Sequence, residues 1–386
     1  MIVVAEPLCR GIEHSPVNAA MLQICRLAFP QQHIRFCADA QHLQEVNKLI
    51  DEQSRRLIEW SPVLVPPRHA EFGRRFPAEL RVLRTVLNGM SHADSHLLLL
   101  SAVESTIYSV KLLHALRLSK VPVQAVLHGY LAEIAGWRSR NPLVRALDLR
   151  SALSFGPHGR LRYVVLEATI AKRVIELLPR LSGNVQWLPH PIPADGGEEP
   201  LVPPLPLNVS FLGLATTQKG FDVFVKTAKL VADRCPGRVR FHAIGRAPRG
   251  GSTIDVRALD TAPSQQGLSR DEYATGVRRA HYICLPYQGK HYELSASGVL
   301  LDAIAWCKPI IGMPSPAVQE LFADYPDIGY LCRTPEELVD VVAWLANHFD
   351  EQTYRRQIEA MSDVRRSRLP ETIALRYREI TDAFIT

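Results

Sequence analysis

Residues 190–207 read HPIPADGGEEPLVPPLPL, with six prolines and two glycines from Pro191 on. Proline locks φ and removes a backbone donor, and glycine weakens both helix and strand, so the stretch suits neither element. It reads as a linker at 191–206, close to the middle of a 386-residue chain. A chain of that length exceeds one typical core. The expectation is therefore a domain at 1–190 and another at 207–365, with a last helix at about 366–386 packing back on the first.

On either side of the break the chain alternates in the same way. Before it, MIVVAE, HIRFC, HLLLLS, VPVQAVLHG and RYVVLE are short aliphatic runs of strand length, while SPVNAAMLQICRLAF and TIYSVKLLHALRLSK repeat apolar residues every three or four positions. After it come LNVSFLGL, FDVFVKTAKLVADRC, RVRFHAIG, HYICLPY and KPIIGM. Strands that are apolar throughout, alternating with amphipathic helices, imply parallel sheets covered on both faces. The fold class is α/β, with two Rossmann-like doubly wound parallel-sheet domains. From about Glu336 three helical stretches follow without a strand.

Bulk properties narrow the class. The chain is 47% hydrophobic, but no apolar run is long enough to span a membrane. The start, MIVVAEPLCRG, lacks the basic and then apolar regions of a signal peptide, so a cytoplasmic location is expected. Seven dispersed cysteines, with no C-x-x-C pair, suit small core residues in a reducing compartment rather than a zinc site or disulfides. The net charge of +6 is uneven: residues 1–195 hold 23 Lys and Arg against 16 Asp and Glu. A cationic first half suits an anionic partner such as a membrane leaflet or an acidic saccharide. Nucleic acid is not expected, because no aromatic-interleaved basic motif occurs.

In open parallel sheets ligands bind beyond the carboxyl ends of the strands. The loop AEPLCRGIEHSPVN offers Arg10, Gly11, Glu13 and His14 before a helix starting near Ser15 or Pro16, and could hold an acceptor or a phosphate. In VLHGYLAEIAG, His128 stands beside Gly129 at a strand end, where an imidazole can serve as acid, base or hydrogen-bond donor. In FLGLATTQKGF, Gly213 closes a strand and Lys219 precedes a helix. An ammonium there opposes the helix dipole unless an anion lies between them, and a diphosphate is the natural one. Arg246, in AIGRAPRGG, could line the same nucleotide pocket. The stretch 292–312, YELSASGVLLDAIAWCKPIIG, sets Glu293, Ser295, Ser297 and Gly298 before a helix and Asp302 one turn inside it.

The order FLG, KGFD, HAIG, HYICLPY and then a Glu and Ser/Gly segment running into LLDAIAWCKPIIG resembles the retaining glycosyltransferases of family 4, with their two Rossmann domains facing a cleft (GT-B). The likeness is good over roughly 205–335 and looser before that, through the Gly11 loop, the His128-Gly129 pair and WLPHPIP. It implies a nucleotide diphosphate sugar donor in the second domain and an acceptor in the first. Donor residues would be Gly213, Lys219, Arg246, Glu293, Ser295, Ser297, Gly298, Val299 and Asp302; acceptor residues would be Arg10, Gly11, Glu13, His14 and His128. Lys219 would neutralise the diphosphate, Glu293 would touch the transferred sugar, and His128 would complete a catalytic set with them. The backbone amides of Ser297, Gly298 and Val299 would hold phosphate, and Asp302 would accept from the ribose.

The sequence departs from the family pattern twice. Glu293 and Asp302 are nine residues apart rather than eight, with Leu301 at the family's position, and Leu214 stands where a basic residue often follows the first glycine. The expected function is transfer of a sugar to a saccharide or lipid-linked acceptor, with retention, in cell-surface polysaccharide assembly. Peripheral contact with an anionic membrane would accompany it. No metal is required, because no Asp-x-Asp pair is present and Lys219 with helix amides can take its place. The alternatives are a non-catalytic subunit of the same fold and a nucleotide-sugar epimerase.

Overall fold

The computed structural model describes the chain except for residues 68–69, 91–94, 137, 157–158, 193–201, 249, 251–253, 288–291 and 386. Most of the proposed linker, at 193–201, thus lies outside the described residues. Two compact units result, Met1–Ala194 with Arg368–Thr386, and Asp195–Ser367.

The first unit holds seven strands: β1 (Ile2–Ala5), β2 (Ile34–Ala38), β3 (Ile58–Pro62), β4 (His96–Leu99), β5 (Val123–Val126), β6 (Leu161–Leu166) and β7 (Val185–Leu188). They pair in parallel in the order β3-β2-β1-β4-β5-β6-β7, so the order reverses between β1 and β4. The second unit holds β8 (Leu207–Leu214), β9 (Val239–Arg246), β10 (Tyr282–Leu285), β11 (Ile310–Gly312) and β12 (Gly329–Leu331). These are again parallel, in the order β12-β11-β10-β8-β9, with the reversal between β8 and β10. At each reversal, successive loops diverge to opposite faces and leave a crevice at the strands' carboxyl ends.

Sequence reading finds the central strands and misses β3, β7 and β12. Each of the three lies at a sheet edge. Their side chains are mostly half-buried or exposed, so IEWSP, VQWL and GYL never form the apolar run that marks a strand covered on both faces. By contrast, every residue of β1, β4, β5 and β10 is buried.

The last helix, Pro370–Ile385, belongs to the first unit. Its Ile373, Ala374 and Tyr377 share one core with Ile2, Met21, Leu22 and Phe36. Polar contacts fix its register: the Tyr377 hydroxyl lies 3.1 Å from His96 Nε2, Thr381 donates to Gln124 at 3.1 Å, and Gln186 donates to the Ile380 carbonyl at 3.0 Å. The Arg376 guanidinium lies 3.6 Å from the centre of the Trp187 ring. Just before this helix, Arg368 forms a two-pronged ion pair with Glu167, one arm at 3.2 Å.

Candidate active site

In the second unit the loops after β8 and β10 meet at the reversal point. Backbone approach is so close that only glycine fits. A Cβ on Gly245 would lie 1.9 Å from the Gly213 carbonyl oxygen across the β8–β9 pair, and one on Gly220 would lie 1.7 Å from that of Pro286. Gly220 has φ of 74°, a left-handed conformation that caps the helix Phe221–Arg234. The turn Thr217–Lys219 is thereby held against the loop after β10.

The Cβ position of Gly213 lies 3.3 Å from Val299 Cγ2 and 3.9 Å from Lys219 Nζ. The structure therefore brings Gly213, Lys219 and the first turn of the helix Gly298–Ala305 together. Lys219 is half-buried and has no ion-pair or side-chain hydrogen-bond partner among the described residues. Burial lowers its pKa below the usual lysine value.

Ser297 caps the helix, its hydroxyl accepting from the Leu300 amide at 3.2 Å and meeting the Tyr287 hydroxyl at 2.5 Å. The amides of Gly298 and Val299, at the first two helical positions, have no intrahelical acceptor and carry the positive end of the helix dipole. Glu293 and Ser295 lie half-buried on the bend just before this helix. A pocket of about 690 Å³ is lined by Gly213, Leu214, Gly245, Arg246 and Tyr273 among others. Arg246 thus shares a pocket with Gly213, on the side where Leu214 offers no charge.

Asp302 differs from a free ribose acceptor, because one of its carboxylate oxygens accepts from the Tyr273 hydroxyl at 2.6 Å. Burial raises its pKa, and the tyrosine hydrogen bond opposes that rise. Tyr273 itself lines the pocket that Arg246 shares. It was not singled out from sequence, since one tyrosine in the amphipathic helix Arg270–Arg279 has no distinguishing pattern.

In the first unit, the loop after β1 is built on Glu6. This buried acid accepts from the amides of Leu8 and Cys9, at 2.8 and 3.0 Å, and from Asn18 and Ser101, at 3.0 and 2.9 Å. Asn18 also lies 2.8 Å from His42 Nε2, and His42 Nδ1 donates to the Gly11 carbonyl at 2.8 Å. Gly11 is thereby fixed before any ligand arrives. Arg10 and Glu13 flank it, both half-buried. Glu6 carries one sequence signal, an acid directly after a wholly apolar strand.

His14 begins the helix Ser15–Ala28 with φ of 53°. Its ring meets His128 edge-on, with centroids 4.5 Å apart, and His128 meets His190 at 5.3 Å. His128 lies two residues beyond β5 rather than within it. Local sequence marks His14 and His128 but not His190, whose supports are distant in sequence. The His190 backbone amide donates to Glu167 at 3.3 Å, and Arg368 fixes Glu167. Burial alone would raise the Glu167 pKa, but the Arg368 charge and hydrogen bonds outweigh it and hold it below the usual value.

Burial, then the neighbouring His190 and His14, push the His128 pKa well below its ordinary value. Burial lowers that of His190 to about 4, against the opposing pull of Glu167. Both rings are neutral at neutral pH. An unfolded histidine takes up a proton near pH 6.5, whereas folded His190 does so near 4, so its stabilising contribution is full above 6.5 and lost as pH falls toward 4. At about pH 5 the loss amounts to about 2 kcal/mol. Urea midpoints of the first unit should fall from neutral pH to about pH 5 in step with this, and ¹H–¹³C NMR should show the His190 ring still neutral there. A His190 titration at the ordinary value would refute the argument.

Residues 206–348 match the family described as "Glycosyl transferases group 1". The match covers most of the second unit. Solved structures extend the likeness to the whole chain. WaaG, "a glycosyltransferase involved in lipopolysaccharide biosynthesis", superposes with a TM-score of 0.60 at 12% identity, over 98% of this chain and 99% of that one. A glycosyltransferase from Rickettsia africae ESF-5 gives 0.66 at 10% identity, over 100% and 98%. The E. coli trehalose-6-phosphate structure bound with UDP-2-fluoro glucose gives 0.63 at 10% identity, over 100% and 99%. At such identities the likeness concerns the fold. No curated protein matches the chain by sequence. The family match and the fold together make the chain a glycosyltransferase of GT-B architecture.

Proposed function

We propose that the enzyme moves a sugar from a nucleoside diphosphate sugar to a saccharide or lipid-linked acceptor, with retention of configuration, in cell-surface polysaccharide assembly. The observation that carries this reading is Lys219, a half-buried ammonium without a counter-ion among the described residues, beside Gly213 and the start of the helix Gly298–Ala305. A cation so placed is costly unless an anion joins it, and the free helix amides face the same demand.

In this scheme the departing diphosphate develops the charge that Lys219 and the amides of Gly298 and Val299 stabilise, so no metal is needed. Arg246 supplies the second cation that Leu214 does not. Glu293 contacts the transferred sugar, with Ser295 and Ser297 shaping the bend beneath it. Asp302, aimed by Tyr273, keeps one carboxylate oxygen for the ribose. The acceptor binds at Arg10, Gly11, Glu13, His14 and His128. The lowered pKa of His128 makes it a neutral hydrogen-bonding group rather than a cation. Retention rests on the family resemblance, and the polysaccharide setting on WaaG, which is described as involved in lipopolysaccharide biosynthesis.

Calorimetry of the intact enzyme with UDP, GDP and ADP tests the donor site. One of them should bind, and its sugar conjugate should be hydrolysed slowly in the absence of acceptor. Failure of all three to bind would overturn the proposal.

A further inference from the structure

On the first unit, the helix Pro142–Ala146 has no buried residue. Leu143 and Val144 are 75% and 55% exposed, and Leu147, one turn on from Leu143, is 43% exposed. Next to them opens an apolar pocket of about 570 Å³, lined by Phe72, Phe76, Tyr108, Leu112, Leu147 and Phe155. Phe155, on its rim, is 71% exposed. Contiguous apolar surface of this kind on a polar protein marks an interaction site.

The exposure is imposed by the fold. The Tyr108 hydroxyl donates to the Ala146 carbonyl at 2.5 Å, and Asn141 caps the helix by accepting from Leu143 at 3.0 Å. Arg138 donates to Asp148 at 2.8 Å and to Ser151 at 2.8 Å, and Ser151 donates to the Arg145 carbonyl at 2.6 Å. Lys111 reaches under the pocket to the carbonyls of Ala152 and Phe155, at 2.8 and 2.6 Å. These bonds hold the apolar side chains out in water.

Charge selects the occupant. Between residues 138 and 162 the chain has six arginines and a single acid, Asp148, which Arg138 already pairs. Arg140, Arg145 and Arg160 are exposed and form no ion pair among the described residues. A second copy of the chain would bring these arginines against their own equivalents, which is repulsive. Arginines flanking a short exposed aliphatic helix match instead the boundary between anionic headgroups and acyl chains.

We propose that this surface docks the enzyme on an anionic lipid leaflet, with Leu143, Val144, Leu147 and Phe155 entering the acyl boundary and Arg140, Arg145 and Arg160 meeting the headgroups. The proposal stands independently of the donor reading.

Sedimentation of the full chain with vesicles of phosphatidylcholine, with and without phosphatidylglycerol, tests it. Binding should require phosphatidylglycerol and weaken as salt is raised. The double variant Arg140→Ala/Arg145→Ala should lower the partition coefficient about twentyfold, and Leu143→Ser/Val144→Ser about tenfold or more. All four side chains are exposed, so near-ultraviolet circular dichroism should be unchanged in both variants. Lack of binding to phosphatidylglycerol vesicles, binding indifferent to that lipid, or full binding by both variants would overturn the proposal. So would dimerisation in analytical ultracentrifugation that the same variants abolish, since it would assign the surface to a second copy.

Discussion

A chain ending at Ser367 should fail to fold its first unit. It loses the Ile373, Ala374 and Tyr377 side chains from the core they share with Ile2, Met21, Leu22 and Phe36. Burying each large apolar side chain contributes about 1.5–3 kcal/mol. Loss of Arg368 also leaves Glu167 buried without its cation, at about 3–5 kcal/mol. Together these approach the whole net stability of a domain, about 5–15 kcal/mol. Hydrogen exchange should then find the first sheet unprotected, while β8 to β12 keep their protection. A graded version uses the full chain: Tyr377→Ala should lower the stability of the first unit by about 3–5 kcal/mol. An unchanged first-unit midpoint in both proteins would show that the last helix is an accessory.

Replacing Lys219 by alanine should reduce turnover about a hundredfold or more if the ammonium stabilises charge on the departing diphosphate. Glu293→Ala should cost a similar factor if its carboxylate acts on the transferred sugar. A control separates function from architecture. Because Lys219 is half-buried and has no ion-pair partner among the described residues, Lys219→Met should keep or slightly raise the melting temperature of the second unit while losing activity. Steady-state kinetics and calorimetry on the same preparations measure both. Normal turnover in Lys219→Ala and Glu293→Ala together would remove the donor-site assignment.

Much of the site was legible because glycine and charge are punctuation that a sequence displays openly. Gly213, Lys219 and Gly220 mark a strand end, a cation and a helix start. Ser297 and Gly298 mark the next helix start, and the structure brings Gly213 and Lys219 to that helix's first turn. The Tyr273–Asp302 pair was not legible. It joins residues 29 apart, and nothing in either neighbourhood points to the other. The same holds for His190, whose partners are Glu167, just after β6, and Arg368.

The apolar pattern alone established two α/β halves, because a strand covered on both faces must be apolar along its whole length and a covering helix must repeat every three to four residues. Edge strands escape that rule. β3, β7 and β12 keep one side in solvent and read as ordinary polar sequence until their neighbours are in place. Tertiary packing alone decided how the last helix docks on the first sheet. It also decided which histidines stack and which carboxylate Tyr273 engages. These outcomes depend on distances between residues far apart in the chain, which local pattern does not encode.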